Sequence, residues 1–211
     1  MAAAICATLM ARGEKVAAFK PVVTGLDDNP GEWPHDHRLL AAATGQRPEQ
    51  VTPVSFGPAV SPHLAAELDA SRIDPSALTK AARAAGDGAN LLVCEGVGGL
   101  LVPLTPDYTV RDLAADLGLA MVVVARPGLG TINHTLLTVE AARAAALTVA
   151  GVVMTPWPDE PDPVQTSNRS TVERLAEVPV SGLPQTSPER LAEAGAALPV
   201  EDWLATRHTP G

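Results

Sequence analysis

Short apolar runs that stop at turn residues alternate along this chain with longer, alanine-rich stretches of helical period. That alternation points to an α/β fold, a mainly parallel sheet joined by crossover helices on both faces. Strands are predicted at residues 16–19, 91–94, 121–125, 149–154 and 178–181. Helices are predicted at 2–12, 36–44, 75–85, 110–117, 131–146, 170–175 and 188–194. The prolines and glycines are scattered between these runs, no internal repeat is visible, and 211 residues at 46% hydrophobic content suffice for one core. A single domain over 1–211 is expected, with the order of the tail after about Leu204 left open.

The net charge of −9, without any block of Lys or Arg, argues against nucleic acid as a partner. The apolar opening from Met1 to Met10 lacks a basic segment before it and runs straight into Arg12, Gly13, Glu14 and Lys15, so it reads as a buried helix and not as a signal. No run approaches the roughly 18–20 apolar residues of a membrane span. Cys6 and Cys94 sit far apart inside apolar runs and read as buried, reduced thiols, which suits a cytoplasmic protein.

The first helix is unusual. Ile5 and Leu9 stand four apart and Gly13 ends the run, yet no capping residue precedes it. In a doubly wound fold, a helix feeding the 16–19 strand follows a strand and a tight loop. Neither lies ahead of Ala2 in this sequence.

Ligands in open parallel sheets bind beyond the carboxyl ends of the strands, so the residues just after each apolar run carry the chemistry. After the first strand comes Lys20-Pro21-Val22-Val23-Thr24-Gly25, where Lys20 either faces the crevice or snorkels at the surface. After Leu91–Cys94 comes Glu95-Gly96-Val97-Gly98-Gly99. A carboxylate there can hold Mg²⁺ and glycines let backbone approach a phosphate, whereas a plain turn needs the glycines but not the acid. After the 121–125 strand, Arg126-Pro127-Gly128-Leu129-Gly130 leads into a helix with Thr131 as its expected cap. Such a start is either an anion site or an ordinary strand-to-helix turn. His35-Asp36-His37 lacks the further ligands zinc needs, since His63, His134 and His208 are scattered. Asp36 reads either as a Mg²⁺ ligand or as the acid of a helix start.

Taken in order, Lys20–Gly25, Ser61-Pro62-His63, Glu95–Gly99 and Leu129-Gly130-Thr131-Ile132-Asn133-His134 resemble dethiobiotin synthetase, from Met1 to about Leu183. The resemblance implies a P-loop α/β fold and a cytoplasmic homodimer that uses ATP and Mg²⁺ in biotin synthesis. The reaction it implies carboxylates 7,8-diaminononanoate (7,8-diaminopelargonate) with CO₂, phosphorylates the carbamate from ATP, and closes the ureido ring with release of ADP and phosphate. It implies Lys20 as the catalytic lysine, Thr24 as a substrate-contacting hydroxyl, and Asp36 and Glu95 as the acids serving Mg²⁺ and nucleotide. It further implies that Gly96, Val97 and Gly98 form the turn beside the phosphates. Gly130, Thr131, Ile132 and Asn133 are implied to receive the substrate carboxylate from the neighbouring subunit, so that the active site spans the dimer interface. Thr155 and Pro156 stand where many members carry an Asn-Asp pair that reads the adenine edge. Pro184, Gln185, Thr186 and Glu189 match the loop beside the base.

The family's phosphate loop, Gly-x-x-x-x-Gly-Lys-[Ser/Thr], does not occur in these residues. The expectation is therefore that the sequence begins one strand and one phosphate loop late, through an internal start or a truncation, and that the whole protein is an active ligase. The competing expectation is a catalytically silent P-loop-like module kept for dimerisation or regulation. Thr155 lacks the paired donor and acceptor of an amide, which leaves the nucleotide preference open.

Overall fold

The computed structural model describes residues 1–206; the remainder of the tail after Leu204, residues 207–211, lies outside the described residues. By its contacts the chain divides into two compact units, residues 2–117 and residues 118 onward.

The first unit opens with α1 (Ala2–Ala11), β1 (Val16–Phe19) and β2 (Val22–Val23). The helix stops at Gly13, whose φ of 86° is open to a residue without Cβ. The Gly13 N–H bonds Met10 O and the Glu14 N–H bonds Leu9 O, which satisfies two carbonyls at the helix end. Next come α2 (Asp36–Thr44), α3 (Pro48–Val51), β3 (Val54–Ser55), α4 (Pro62–Leu68), α5 (Pro75–Gly86) and β4 (Leu91–Cys94). The hairpin β5 (Pro103–Thr105) and β6 (Tyr108–Thr109) and then α6 (Val110–Leu117) complete the unit. Pairing is parallel for β1 with β4 and for β2 with β3, and antiparallel within the hairpin. Val22, Phe56, Leu78, Leu104, Val110 and Leu113 form the core beneath.

Gln46 does a strand's work on β1. Its Oε1 accepts from the Ala18 N–H at 2.7 Å, and its Nε2 donates to Ala18 O at 3.3 Å. The Thr44 hydroxyl fixes the same amide at 2.8 Å. The polar groups of fully buried Ala18 are thereby paired on the side away from β4.

The second unit runs β7 (Met121–Ala125), α7 (Thr131–Arg143), β8 (Val149–Trp157), α8 (Pro163–Ala176), β9 (Val180–Pro184), a 3₁₀ turn (Pro188–Arg190), α9 (Leu191–Gly195) and α10 (Val200–Ala205). Its three strands pair in parallel in the order β7-β8-β9, over a core of Val139, Val152, Met154 and Val172. At the far end of the sheet the Trp157 indole lies across Gly182, where an added Cβ would come within 2.5 Å of the ring. The Arg169 guanidinium covers the indole at 5.4 Å.

The parallel α/β reading holds in both units. Several boundaries move. β8 continues past residue 154 through Thr155-Pro156 to pair Trp157 with Pro184. α8 begins seven residues before the predicted start because Asp162 caps it: its carboxylate accepts from the Gln165 N–H while the Gln165 side chain accepts from the Asp162 N–H. α7 ends at Arg143, and the predicted 188–194 helix splits into a 3₁₀ turn and α9. Cys6 is buried and Cys94 half-buried, both as free thiols. Among the described residues, no helix is long and apolar enough to cross a membrane.

Candidate functional site

Register places the site. Because β1 and β4 pair in parallel with Phe19 opposite Cys94, the next residue on each strand, Lys20 and Glu95, emerges at the same sheet edge. The Glu95 N–H continues the ladder to Phe19 O at 2.8 Å, and the Lys20 N–H turns away to Val51 O at 2.9 Å. Pro21 has no N–H to donate, so the ladder ends there.

Lys20 is 4% exposed, which excludes the snorkelling alternative. Its Nζ donates to Glu95 Oε1 at 2.7 Å and to Gly96 O at 3.3 Å, and it pairs with Asp36 Oδ2 at 2.8 Å. Asp36 reaches it from the first turn of α2, entered through His35 without a side-chain cap. The two flanking rings, His35 and His37, stack on each other at 6.2 Å.

Burial alone would lower the Lys20 pKa, but the Glu95 and Asp36 carboxylates outweigh it and the net direction is upward from the ordinary 10.5. The lysine is therefore a cation throughout the neutral range. A folded pKa above the unfolded one gives a stabilisation that is complete below pH 10.5 and fades as pH climbs through the folded value. The difference in unfolding free energy between wild type and Lys20→Met is accordingly expected to stay level from pH 7 to about 10 and to narrow above that. Urea denaturation across that range checks it. Burial pushes the neighbouring Cys94 thiol up to about 12, so it supplies no thiolate near neutrality.

The Gly-rich turn after Glu95 is shaped by close packing. At Gly98, φ is 67° and a Cβ would lie 2.9 Å from Val102 Cγ2. Val97 packs on the core of the unit while Gly96 and Gly98 are exposed, leaving their backbone open to a ligand. Thr24 is half-buried just beyond β2. His63 lies in the first turn of α4, and its Nδ1 is buried without a hydrogen-bond partner.

Among the described residues, no group of three or more His, Cys, Asp or Glu side chains converges. Asp36 and Glu95 do converge, on one cationic nitrogen. Two hard carboxylates with the rest of the sphere left to water and phosphate is a donor set that fits Mg²⁺.

In the second unit, Gly130 is left-handed at φ 85° and Thr131 is the first helical residue of α7. The expected cap is thus corrected: the buried Thr131 hydroxyl lies 3.3 Å from the Thr135 hydroxyl, inside the helix, and leaves no side-chain cap at the start. Ile132 and Asn133 complete that first turn, where helix N–H groups lack intrahelical acceptors. The loop before it is held by Asn168 of α8, a residue with no sequence signal for this role. Its buried amide donates to Pro127 O at 2.9 Å and to Gly128 O at 3.1 Å. Asn168→Ala is expected to cost about 1–2 kcal/mol, read by urea denaturation. Thr155, Pro156 and Pro184 meet at the carboxyl end of β8 and β9, with half-buried Thr186 and exposed Gln185 following. Glu189 is turned to its own loop, accepting from the Ser187 hydroxyl at 2.6 Å.

Comparison with known proteins adds a family. Residues 1–190 match a family described as AAA domain. The ATP-dependent dethiobiotin synthetase BioD of Anaeromyxobacter dehalogenans strain 2CP-1 is 41% identical over 176 residues, 83% of this chain and 78% of the relative. The protein of the same name from Mycobacterium avium strain 104 is 41% identical over 171 residues, 79% of this chain and 72% of the relative. Among solved structures, a ParA family ATPase from Chlorobium tepidum TLS aligns with 97% of this chain and 90% of its own, at TM-score 0.48 and 10% identity.

Proposed function

We propose, from the premise that this chain belongs to the ATP-dependent dethiobiotin synthetase family, that it serves the closure of a cyclic urea on 7,8-diaminononanoate with CO₂ and ATP. The observation that carries the reading is the buried Lys20 ammonium, held at the strand ends by Asp36 and Glu95. Carbamate, acyl phosphate and departing phosphate are all anionic, and transfer between them is governed by positioning and charge neutralisation. Lys20 supplies a cation, buried among protein oxygens at rest, for the carbamate oxygen. Thr24 orients the substrate from the following loop.

Asp36 and Glu95 are the residues to hold Mg²⁺, which when bound neutralises phosphate oxygens. Gly96, Val97 and Gly98 provide backbone beside the phosphates. Thr155, Pro156, Pro184, Gln185, Thr186 and Glu189 provide the surroundings of the base. With a threonine hydroxyl in place of an amide, discrimination among purine nucleotides is expected to be loose.

The start of α7, Gly130 to Asn133, suits the substrate carboxylate, as helix starts suit anions. In this reading the carboxylate belongs to substrate bound in the partner subunit of a cytoplasmic homodimer. The exposure of Leu129 (92%), just before that start, and of Leu137 (55%), midway along α7, supports a covered surface.

The test is formation of dethiobiotin from 7,8-diaminononanoate, dependent on ATP and bicarbonate and identified by mass spectrometry. It is run for residues 1–211 and for the same chain preceded by a strand and Gly-x-x-x-x-Gly-Lys-Thr loop of the family. Product from the extended form is the expected outcome. Product from neither form sinks the ligase reading and favours a silent module.

A further inference from the structure

The Lys20 ammonium does at Asp36 and Glu95 what a hard cation does. It sits 2.8 Å from Asp36 Oδ2 and 2.7 Å from Glu95 Oε1, and takes a third oxygen, from Gly96, at 3.3 Å. The three donors of an ammonium are thereby committed. A divalent ion bound by the same two carboxylates needs those oxygens, and two cations at contact distance repel strongly in a partly desolvated site. The approach paths differ: the Asp36 side chain is 59% exposed while that of Lys20 is 6% exposed. An ion from solvent meets the acids first and the ammonium behind them.

We infer that Lys20 is the resident cation of the Asp36–Glu95 pair and that a divalent ion binding there displaces the lysine ammonium. The inference rests on reading these two acids as the metal-binding residues. The flexible four-carbon stem of lysine lets the ammonium swing without moving β1. Before displacement, its hydrogen-bonding capacity is spent on protein oxygens. After it, a cationic donor is released beside the newly bound metal. Metal occupancy and availability of the lysine become one event, which orders the site so that Lys20 engages a substrate oxyanion only once the metal is in place.

Two measurements on the full chain test this. Mn²⁺ is titrated into wild type and Lys20→Met, with free Mn²⁺ followed by paramagnetic resonance. The variant is expected to bind at least about tenfold more tightly, the scale of a close charge interaction of this kind. In wild type, the Lys20 ammonium resonance is followed by ¹H–¹⁵N spectroscopy while diamagnetic Mg²⁺ is added, and it is expected to move or broaden as the site fills. This arm needs no substitution, so it decides even where Lys20→Met does not fold. Binding of Mn²⁺ by the variant no tighter than by wild type, or a Lys20 resonance that stays fixed at saturating Mg²⁺, overturns the inference while leaving the metal reading intact. If neither chain binds Mn²⁺, the metal reading falls and the inference with it.

Discussion

Under the proposed ring closure, Lys20→Met is expected to lower turnover of diaminononanoate by roughly 10²–10³-fold, the usual loss when a group that stabilises a transition-state anion is removed. The lysine is buried, cationic at every pH of interest, and anchored at the carboxyl end of β1 opposite Glu95. Methionine keeps much of its length and apolar packing but none of its charge. What the substitution removes is therefore electrostatic, and steady-state kinetics should show the loss mainly in kcat. Lys20→Arg is expected not to restore it, because a planar guanidinium is larger than an ammonium and cannot take three oxygens around a single nitrogen. A Lys20→Met enzyme with kcat near that of its parent would remove this lysine from the chemistry.

Gln46→Leu is expected to cost about 2–4 kcal/mol of unfolding free energy, because it strips both backbone partners from Ala18 and each buried, unpaired group carries about 1–3 kcal/mol. Ala18 is fully buried in β1, and the Gln46 amide pairs both its N–H and its C=O. Leucine fills similar space and can do neither. Gln46→Glu separates the effects: its carboxylate still accepts from the Ala18 N–H but faces the Ala18 carbonyl without a donor, so it should fall no better than midway between leucine and glutamine. Urea midpoints measured at fixed slope decide this. A leucine variant as stable as wild type would mean that water takes over both bonds.

What the sequence made legible follows the range of the interactions involved. The 16–19, 91–94 and 121–125 strands and the helices at 36–44 and 110–117 are found where expected, since each is an apolar or amphipathic run closed by Gly, Pro or an acid. That Lys20 and Glu95 stand just past parallel strands was legible too; that those strands are neighbours, so that the two side chains meet, needed the fold. Asp36 needed the fold, because the loop between β2 and α2 decides where the helix start points. β2 and β3 are two residues each, too short to show a period, and α4 opens on Ser61-Pro62 after an irregular loop. α8 did announce itself locally, through Asp162-Pro163 and Gln165, and that signal outranks the weak apolar period further along. Gln46 and Asn168 were beyond reach: each is a polar residue whose partners lie 28 and 40 or more positions away.

The indole of Trp157 resting on Gly182 carries a consequence for descent. Any side chain gained at position 182 collides with the ring, and any smaller residue at 157 uncovers bare backbone and leaves Arg169 without its aromatic partner. Neither site can drift alone at low cost. Among descendants of this sequence the two positions should change as a pair or not at all, with an aromatic at 157 kept company by glycine at 182.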